Sequence, residues 1–306
     1  MRAQLMIAAL VASCAATQRP QTRDQLVDAG DAKIFVHVWG ENFGTPLVLI
    51  PGGPGVTYQI FAPLRVLATR GRPVAALDLR GTGRSSRPAP SAYGLERLVA
   101  DVDAVRAAIG AEQIHLAGSS WGGMIAMAYA GAHPDRLASL IFLASIPPRP
   151  EQLAEAETQH VLPRQKELAR LGLIPSQPPS CDGEDCTEAF AAMLPLYFAD
   201  PRHPLAGPRW KDSSWADVHF TTRGAKLLGE GMGQPDLSAG LAGYTGRALV
   251  LEGNGDFLGT QVADQIEAAL RQASVTKLIL PGCGHLLWDE CPDAFFAAMR
   301  AFLDSH

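Results

Sequence analysis

Long hydrophobic runs, basic clusters and internal repeats are all missing from this chain. No apolar stretch reaches the roughly 20 residues that a membrane-spanning helix needs, which excludes a multi-span membrane protein. Charge is sparse at 19% of residues and leans acidic, with 26 Lys and Arg against 31 Asp and Glu. A formal net charge of -5 with no clustered cations excludes nucleic acid as a partner, because nothing could track a phosphate backbone. Glycine (30) and proline (23) are plentiful but aperiodic, so a fibrous chain is excluded too. What is present is 47% hydrophobic residues in a chain of 306, enough for one large core or two small ones.

The first twenty residues have a different grammar. Arg2 precedes an uncharged apolar stretch from Leu5 to Ala12, followed by small residues ending at Cys14, the pattern of a secretory signal. The string Val11-Ala12-Ser13-Cys14 resembles the lipobox of bacterial lipoprotein signals. That resemblance implies a signal peptide over 1–13, lipid on the Cys14 sulfur, and a polar tether over 14–24. The protein is then exported, periplasmic or membrane-anchored, and meets the membrane only through its lipid. A plain N-terminal helix or an unlipidated signal is the alternative.

Beyond Cys14 the cysteines are Cys181, Cys186, Cys283 and Cys291, an even number that suits an oxidising compartment. Of the three possible pairings, 181 with 186 and 283 with 291 is the natural one, and four free thiols is the alternative. The Cys-x4-Cys spacing has no matching second pair, so no metal is implied.

Strand patterns at Lys33–Val38 and Leu47–Ile50 are followed by repeated strand–helix units. These are Val74–Leu77, a helix over 95–109, Ile114–Ala117, a helix over 122–132, and Leu140–Ala144. The grammar returns at Ala248–Leu251, a helix over 261–271, Lys277–Leu280 and a helix over 292–303. Such units predict a mostly parallel central sheet flanked by helices, an α/β fold, with core segments at 25–146 and 236–306. Between them, 147–235 opens with Pro147-Pro148-Arg149-Pro150, has helical segments over 151–171 and 187–198, and lacks strands. It is also rich in aromatics: Phe190, Tyr197, Phe198, Trp210, Trp215 and Phe220. A helical lid is expected there, the alternative being a long irregular excursion.

Gly118-Ser119-Ser120-Trp121-Gly122 matches the nucleophile elbow G-x-S-x-G and sits directly between a predicted strand and a predicted helix. The turn demands small neighbours, and it lifts the Ser120 hydroxyl to a helix N-terminus whose dipole favours negative charge. Among eight histidines, His285 alone follows a late strand through a glycine-rich turn, Pro281-Gly282-Cys283-Gly284. It is the expected base, whereas His37, His115 and His133 read as structural. Asp256 follows the strand Ala248–Leu251 through Glu252-Gly253-Asn254-Gly255 and is the expected orienting acid; its rival Asp264 lies inside a predicted helix. An oxyanion hole needs preset backbone N–H groups, expected from Gly53 in Pro51-Gly52-Gly53-Pro54-Gly55 and from Trp121. Gly81-Thr82-Gly83-Arg84-Ser85 lacks the phosphate-loop ending, so no cofactor is expected.

Gly52-Gly53-Pro54-Gly55, Asp78-Leu79-Arg80-Gly81-Thr82-Gly83-Arg84-Ser85 and Gly118-Ser119-Ser120-Trp121-Gly122-Gly123 together resemble the prolyl aminopeptidase (proline iminopeptidase) branch of the α/β-hydrolase superfamily. The likeness runs from about residue 30 to the end, where Gly284-His285, Glu290, Pro292 and Phe296 are similar to the superfamily's closing stretch. It implies the α/β-hydrolase fold, acyl-enzyme chemistry, and a small-molecule or short-peptide substrate. Two departures stand out. Pro51 occupies a position where the family usually has histidine, and Met193-Leu194-Pro195-Leu196-Tyr197-Phe198 lacks the glutamate that commonly binds the substrate's amino group. Glu184, Asp185, Glu188, Asp212, Asp217 or Glu230 could substitute for it. The readings are therefore a serine hydrolase of a small ester or amide, including an N-terminal proline peptide, or a non-peptidase esterase. A lipid-anchored binding protein with an idle triad is the remote alternative.

Overall fold

One eight-stranded sheet organises the residues that the computed structural model describes, namely 22–41, 43–177, 179–181, 185–213, 215–233 and 235–305. Its strands are β1 (Thr22–Asp28), β2 (Lys33–Trp39), β3 (Leu47–Ile50), β4 (Val74–Leu77), β5 (Ile114–Ser119), β6 (Leu137–Leu143), β7 (Arg247–Gly253) and β8 (Ser274–Leu280). They lie in the order β1-β2-β4-β3-β5-β6-β7-β8, with β2 antiparallel to both neighbours and the rest parallel. The continuous apolar runs of β3 and β4 are buried along their whole length because helices cover both faces of the sheet. On one face pack α1 (Leu95–Ala108) and α2 (Gly122–Ala132), with apolar residues from the downstream helices described below. The 3-10 segment Tyr58–Leu67 packs on the other.

Between β6 and β7 the chain carries α3 (Pro150–Ala156), a π turn at Glu157–Val161, α4 (Leu162–Arg170), α5 (Thr187–Ala191), three 3-10 turns and α6 (Thr222–Met232). The core then resumes with α7 (Ser238–Ala242), α8 (Gln261–Ala269), α9 (Leu287–Glu290) and α10 (Pro292–Asp304). The expected helix over 151–171 is thus one rod interrupted by a π turn. The helix expected over 187–198 ends at Ala191, since Pro195 has no N–H to continue it and the chain tightens into a 3-10 turn at Leu194–Leu196. Helix α6 carries no expectation from the sequence because its glycines dilute the helical pattern.

One boundary is corrected. Residues 22–24, expected within the tether, belong to β1, where Asp24 pairs with His37. The strand is polar because it is an edge with a single fully buried residue, Val27, and it is held by the β2 ladder and by Asp24 bonds to His37 and Arg84. Cys14, the stretch 1–13 and the remainder of the tether lie outside the described residues.

The Asp78–Ser85 segment is a brace. Ser85 Oγ accepts the Phe35 N–H at 2.8 Å and donates to the Asp78 carbonyl at 2.6 Å, tying the end of β4 to β2. Arg80 is fully buried and grips both oxygens of buried Asp101 on α1 at 2.7 and 2.6 Å, with Asp31 a further partner at 3.1 Å. Removing Asp101 takes the two-point partner from the buried guanidinium and leaves it only half-buried Asp31 and backbone carbonyls. Asp101→Ala is therefore expected to lower the unfolding free energy by about 3 kcal/mol in urea titration, and a loss below about 1 kcal/mol would contradict this role.

Candidate active site

Ser120 lies between β5 and α2 with φ 52°, a left-handed backbone that a serine adopts only under strain. Its neighbours explain how the strain is tolerated. A Cβ on Gly118 would come within 2.6 Å of the Gly122 carbonyl oxygen, one on Gly122 within 2.5 Å of the Ile50 oxygen, and one on Gly123 within 1.7 Å of Ser145 Oγ. Backbone bonds then lock the turn: Ser120 N–H donates to Leu143 O at 3.0 Å, and Ser120 O accepts from Gly123 at 2.9 Å and Ile146 at 3.2 Å. Trp121 N–H is presented at the N-terminal end of α2.

The loop after β3 runs directly across this turn, for a Cβ on Gly52 would lie 2.7 Å from Ser120 Cβ and 3.4 Å from its Oγ. Gly53 has φ 114°, which glycine alone adopts without cost. Pro51 donates no hydrogen bond to hold this loop, and the segment between β6 and β7 supplies the support instead. Thr221 N–H donates to Gly55 O at 3.0 Å, Thr57 N–H to His219 O at 3.1 Å, and His219 N–H to Thr57 Oγ at 3.0 Å.

The parallel pair β7 and β8 sets the loops carrying Asp256 and His285 side by side, and His285 Nδ1 lies 2.7 Å from Asp256 Oδ2. The other oxygen, Oδ1, accepts the Leu258 N–H at 2.7 Å. Burial pushes the Asp256 carboxyl up, but the His285 charge and hydrogen bond outweigh it and bring the group below its ordinary value. His285 Nε2 is buried and has no hydrogen-bond partner among the described residues, so the Ser120 hydroxyl is not bonded to it. Such contacts often close only around a substrate. The rival Asp264 is exposed and paired with Lys277 at 2.6 Å. His115 is structural, bonded to Ser139 Oγ at 2.8 Å and pushed down to about 4 by burial, while His37 pairs with Asp24 and His133 packs on Tyr129.

Aromatic rings pack against the histidine and run on from it. Phe257 and Tyr197 lie 4.6 and 5.5 Å from its ring, and Tyr197 continues to Phe190 and then Phe220 at 5.5 and 4.9 Å. Tyr197, enclosed here, is pushed up to about 12 by burial, with the Asp256 charge adding to it. Phe198 stacks on His203, Trp215 donates to Asp289 at 3.0 Å, and Lys211 lies over the Trp210 ring.

Sequence reasoning missed the groups that hold the histidine loop. His285 N–H donates to Tyr197 O at 2.8 Å, while Glu290 accepts from Ala199 N–H at 2.8 Å and from Gly284 N–H. Cys283 and Cys291 form a disulfide bracketing this stretch, and Cys181 and Cys186 form the second. The one signal for this clasp was Glu290 in the closing motif, which gives no hint that its partner Ala199 comes from 91 residues upstream. Of the carboxylates weighed as amine binders, Asp185, Glu188, Asp217 and Glu230 are exposed, with Glu188 and Glu230 paired to Lys211 and Lys226. Glu184 and the Asp212 side chain lie outside the described set.

A parallel sheet with a left-handed serine between its fifth strand and the next helix, and an Asp–His pair on its last two loops, is the architecture of hydrolases that pass an acyl group through serine. The chain belongs to the alpha/beta hydrolase fold family, whose profile matches residues 45–290. Among its relatives is a proline iminopeptidase of Lactobacillus helveticus (strain DPC 4571), 28% identical over 286 residues, covering 85% of this chain and 90% of the relative. A proline iminopeptidase-related protein from Thermus thermophilus superposes with TM-score 0.70 at 25% identity, covering 93% of this chain and 98% of the other. A bacterial membrane phospholipase A superposes with TM-score 0.66 at 27% identity, covering 94% and 86%.

Asp289, beneath Trp215, is pushed up to about 7 by burial, with the Glu290 charge adding to it. Between about pH 4 and 7 the unfolded chain loses this proton while the fold keeps it, so stability falls as pH rises through that window. Asp289→Asn keeps an acceptor for the indole without a buried charge. Its melting temperature is expected to gain on the parent's from pH 5 to 7 and then hold level, and a difference that stays constant from pH 5 to 8 would refute this.

Proposed function

We propose that this chain is a serine hydrolase that forms an acyl-enzyme on a small ester or amide. Ser120 attacks the carbonyl, His285 takes the proton and returns it to the leaving group, and Asp256 orients the imidazole. Gly53 N–H and Trp121 N–H receive the oxyanion, and water releases the acyl group. The observation that carries the reading is the 2.7 Å Asp256–His285 bond with Nε2 left bare, on the same sheet edge as the left-handed Ser120.

The substrate reading favours an uncharged acyl group. The rings of Phe257, Tyr197, Phe190 and Phe220 offer an apolar wall, and the insertion's described candidate carboxylates are exposed. We take residues 147–235 to be a lid over this wall. The second reading, cleavage of an N-terminal proline peptide, is favoured by the proline iminopeptidase relatives. Purified protein and its Ser120→Ala variant are to be compared on p-nitrophenyl butyrate, proline p-nitroanilide and an N-blocked proline anilide. Ester cleavage is expected, falling by about a thousandfold or more in the variant. Cleavage of the free-amine anilide with the blocked one refused selects the second reading, and equal activity in Ser120→Ala removes the mechanism.

We also propose export and lipid anchoring at Cys14. The lipobox-like string and two disulfides, which persist in oxidising compartments, support this. Among the described residues no helix is long and apolar enough to cross a membrane. Mass spectrometry of the mature N-terminus is expected to find lipid-modified Cys14, and a chain that retains Met1 would refute it.

A further inference from the structure

Glu252, the penultimate residue of β7, is completely buried four positions before Asp256, and among the described residues no cation pairs with it. Alternation along β7 puts it on the Val250 face, towards the core to which Val262 and Ile266 of α8 contribute. One oxygen, Oε1, accepts the Gly253 N–H at 3.2 Å, while Oε2 is sealed from solvent and has no donor among the described residues. An ionised carboxylate in that position is costly, because two lone-pair sites would face no donor. The neighbouring titratable group, four residues along the chain, is the carboxyl of Asp256, whose charge acts on Glu252. Two buried ionised carboxylates side by side repel and neither can donate to the other, so the orphaned Oε2 of Glu252 is satisfied only if one of the pair carries a proton. Asp256 faces His285 and the Leu258 N–H, which both favour its charged form; Glu252 has neither. Burial first, and then the Asp256 charge, hold the Glu252 carboxyl well above its ordinary value.

We propose that Glu252 is a positioning residue, a neutral carboxylic acid whose O–H donates to the Asp256 carboxylate and so extends the Ser–His–Asp relay by one buried member. Donation spreads the Asp256 charge and fixes which oxygen meets the imidazole. The other titratable groups around the pair are His285 and Tyr197, whose ring closes over the histidine, and Tyr244 in the same core, whose hydroxyl donates to Arg247 O. The proposal rests on Asp256 being the orienting acid.

The test is the pH profile of kcat/KM for p-nitrophenyl butyrate, measured on the full chain from pH 5 to 9 for the parent, Glu252→Gln, Glu252→Leu and Asp256→Asn. Leucine removes the donor and concentrates charge on Asp256, so the imidazole keeps its proton longer. The acidic limb is expected to move to higher pH, with kcat about tenfold lower and KM little changed. Glutamine retains an N–H donor, and it is expected to hold the limb at the parent's position and recover most of the rate lost with leucine. A limb that moves to lower pH in Glu252→Gln reveals an ionised Glu252 and overturns the proposal, as does an unmoved profile in Glu252→Leu. Should Glu252→Leu fail to fold, the infrared difference spectrum of parent minus Glu252→Gln at neutral pH decides. The carbonyl band of a buried protonated carboxyl is expected there, and its absence refutes the proposal. Full activity in Asp256→Asn would instead remove the orienting-acid assignment on which both readings depend.

Discussion

The left-handed backbone at Ser120 is the constraint around which the structure is built. A serine at φ 52° persists only where the surroundings over-determine it, and here the ends of neighbouring strands meet the turn. Ile50 at the end of β3 lies against Gly122, Leu143 at the end of β6 accepts the Ser120 N–H, and Ser145 just beyond β6 lies against Gly123. The first and last of these contacts require the absence of a side chain, which is why the glycines here are structural requirements. A parallel sheet suits such a turn because its strand ends converge on one edge, so that loops after β3, β5, β7 and β8 share a single space.

That shared edge explains what was legible in the sequence. The continuous runs of β3 and β4 and the strand–turn–helix frame of Ser120 are local patterns, written within ten or so residues, and they read correctly. Asp256 and His285 were also legible because each follows its strand through a glycine turn, and the β7–β8 register then joins them. β1 was not legible: an edge strand with one fully buried residue gives no alternation, and its identity comes from the β2 ladder. α6 was hidden by glycines within it. Most opaque were Glu252 and Glu290, since nothing local distinguishes a buried acid from a solvated one, and the Ala199 partner of Glu290 is brought in only by tertiary contact.

The segment between β6 and β7 is tied to two loops of the sheet edge. At one end His219 and Thr221 hold Gly55 and Thr57, beside the expected oxyanion donor. Elsewhere Tyr197 O takes the His285 N–H, and the backbone around Ala199 is gripped by Glu290. The segment that brings Tyr197 against His285 therefore also holds two loops, the one after β3 and the one after β8.

Four acids within a short span of the histidine loop show how one chemical group is put to different uses. What separates them is what each oxygen meets. Asp256 meets a histidine and a backbone N–H and is held ionised. Glu290 meets backbone N–H groups from two chain segments and acts as a clasp. Asp289 meets one indole N–H, too little to offset its burial, and its affinity for a proton rises. Glu252 has one weak donor and one orphaned oxygen beside a carboxylate, so a proton is the only partner that completes its hydrogen bonding. His285 is the one basic side chain that the described residues bring to the Asp256 carboxylate, so the distribution of N–H donors decides which acid carries charge, and that distribution is set by the turns after β7 and β8.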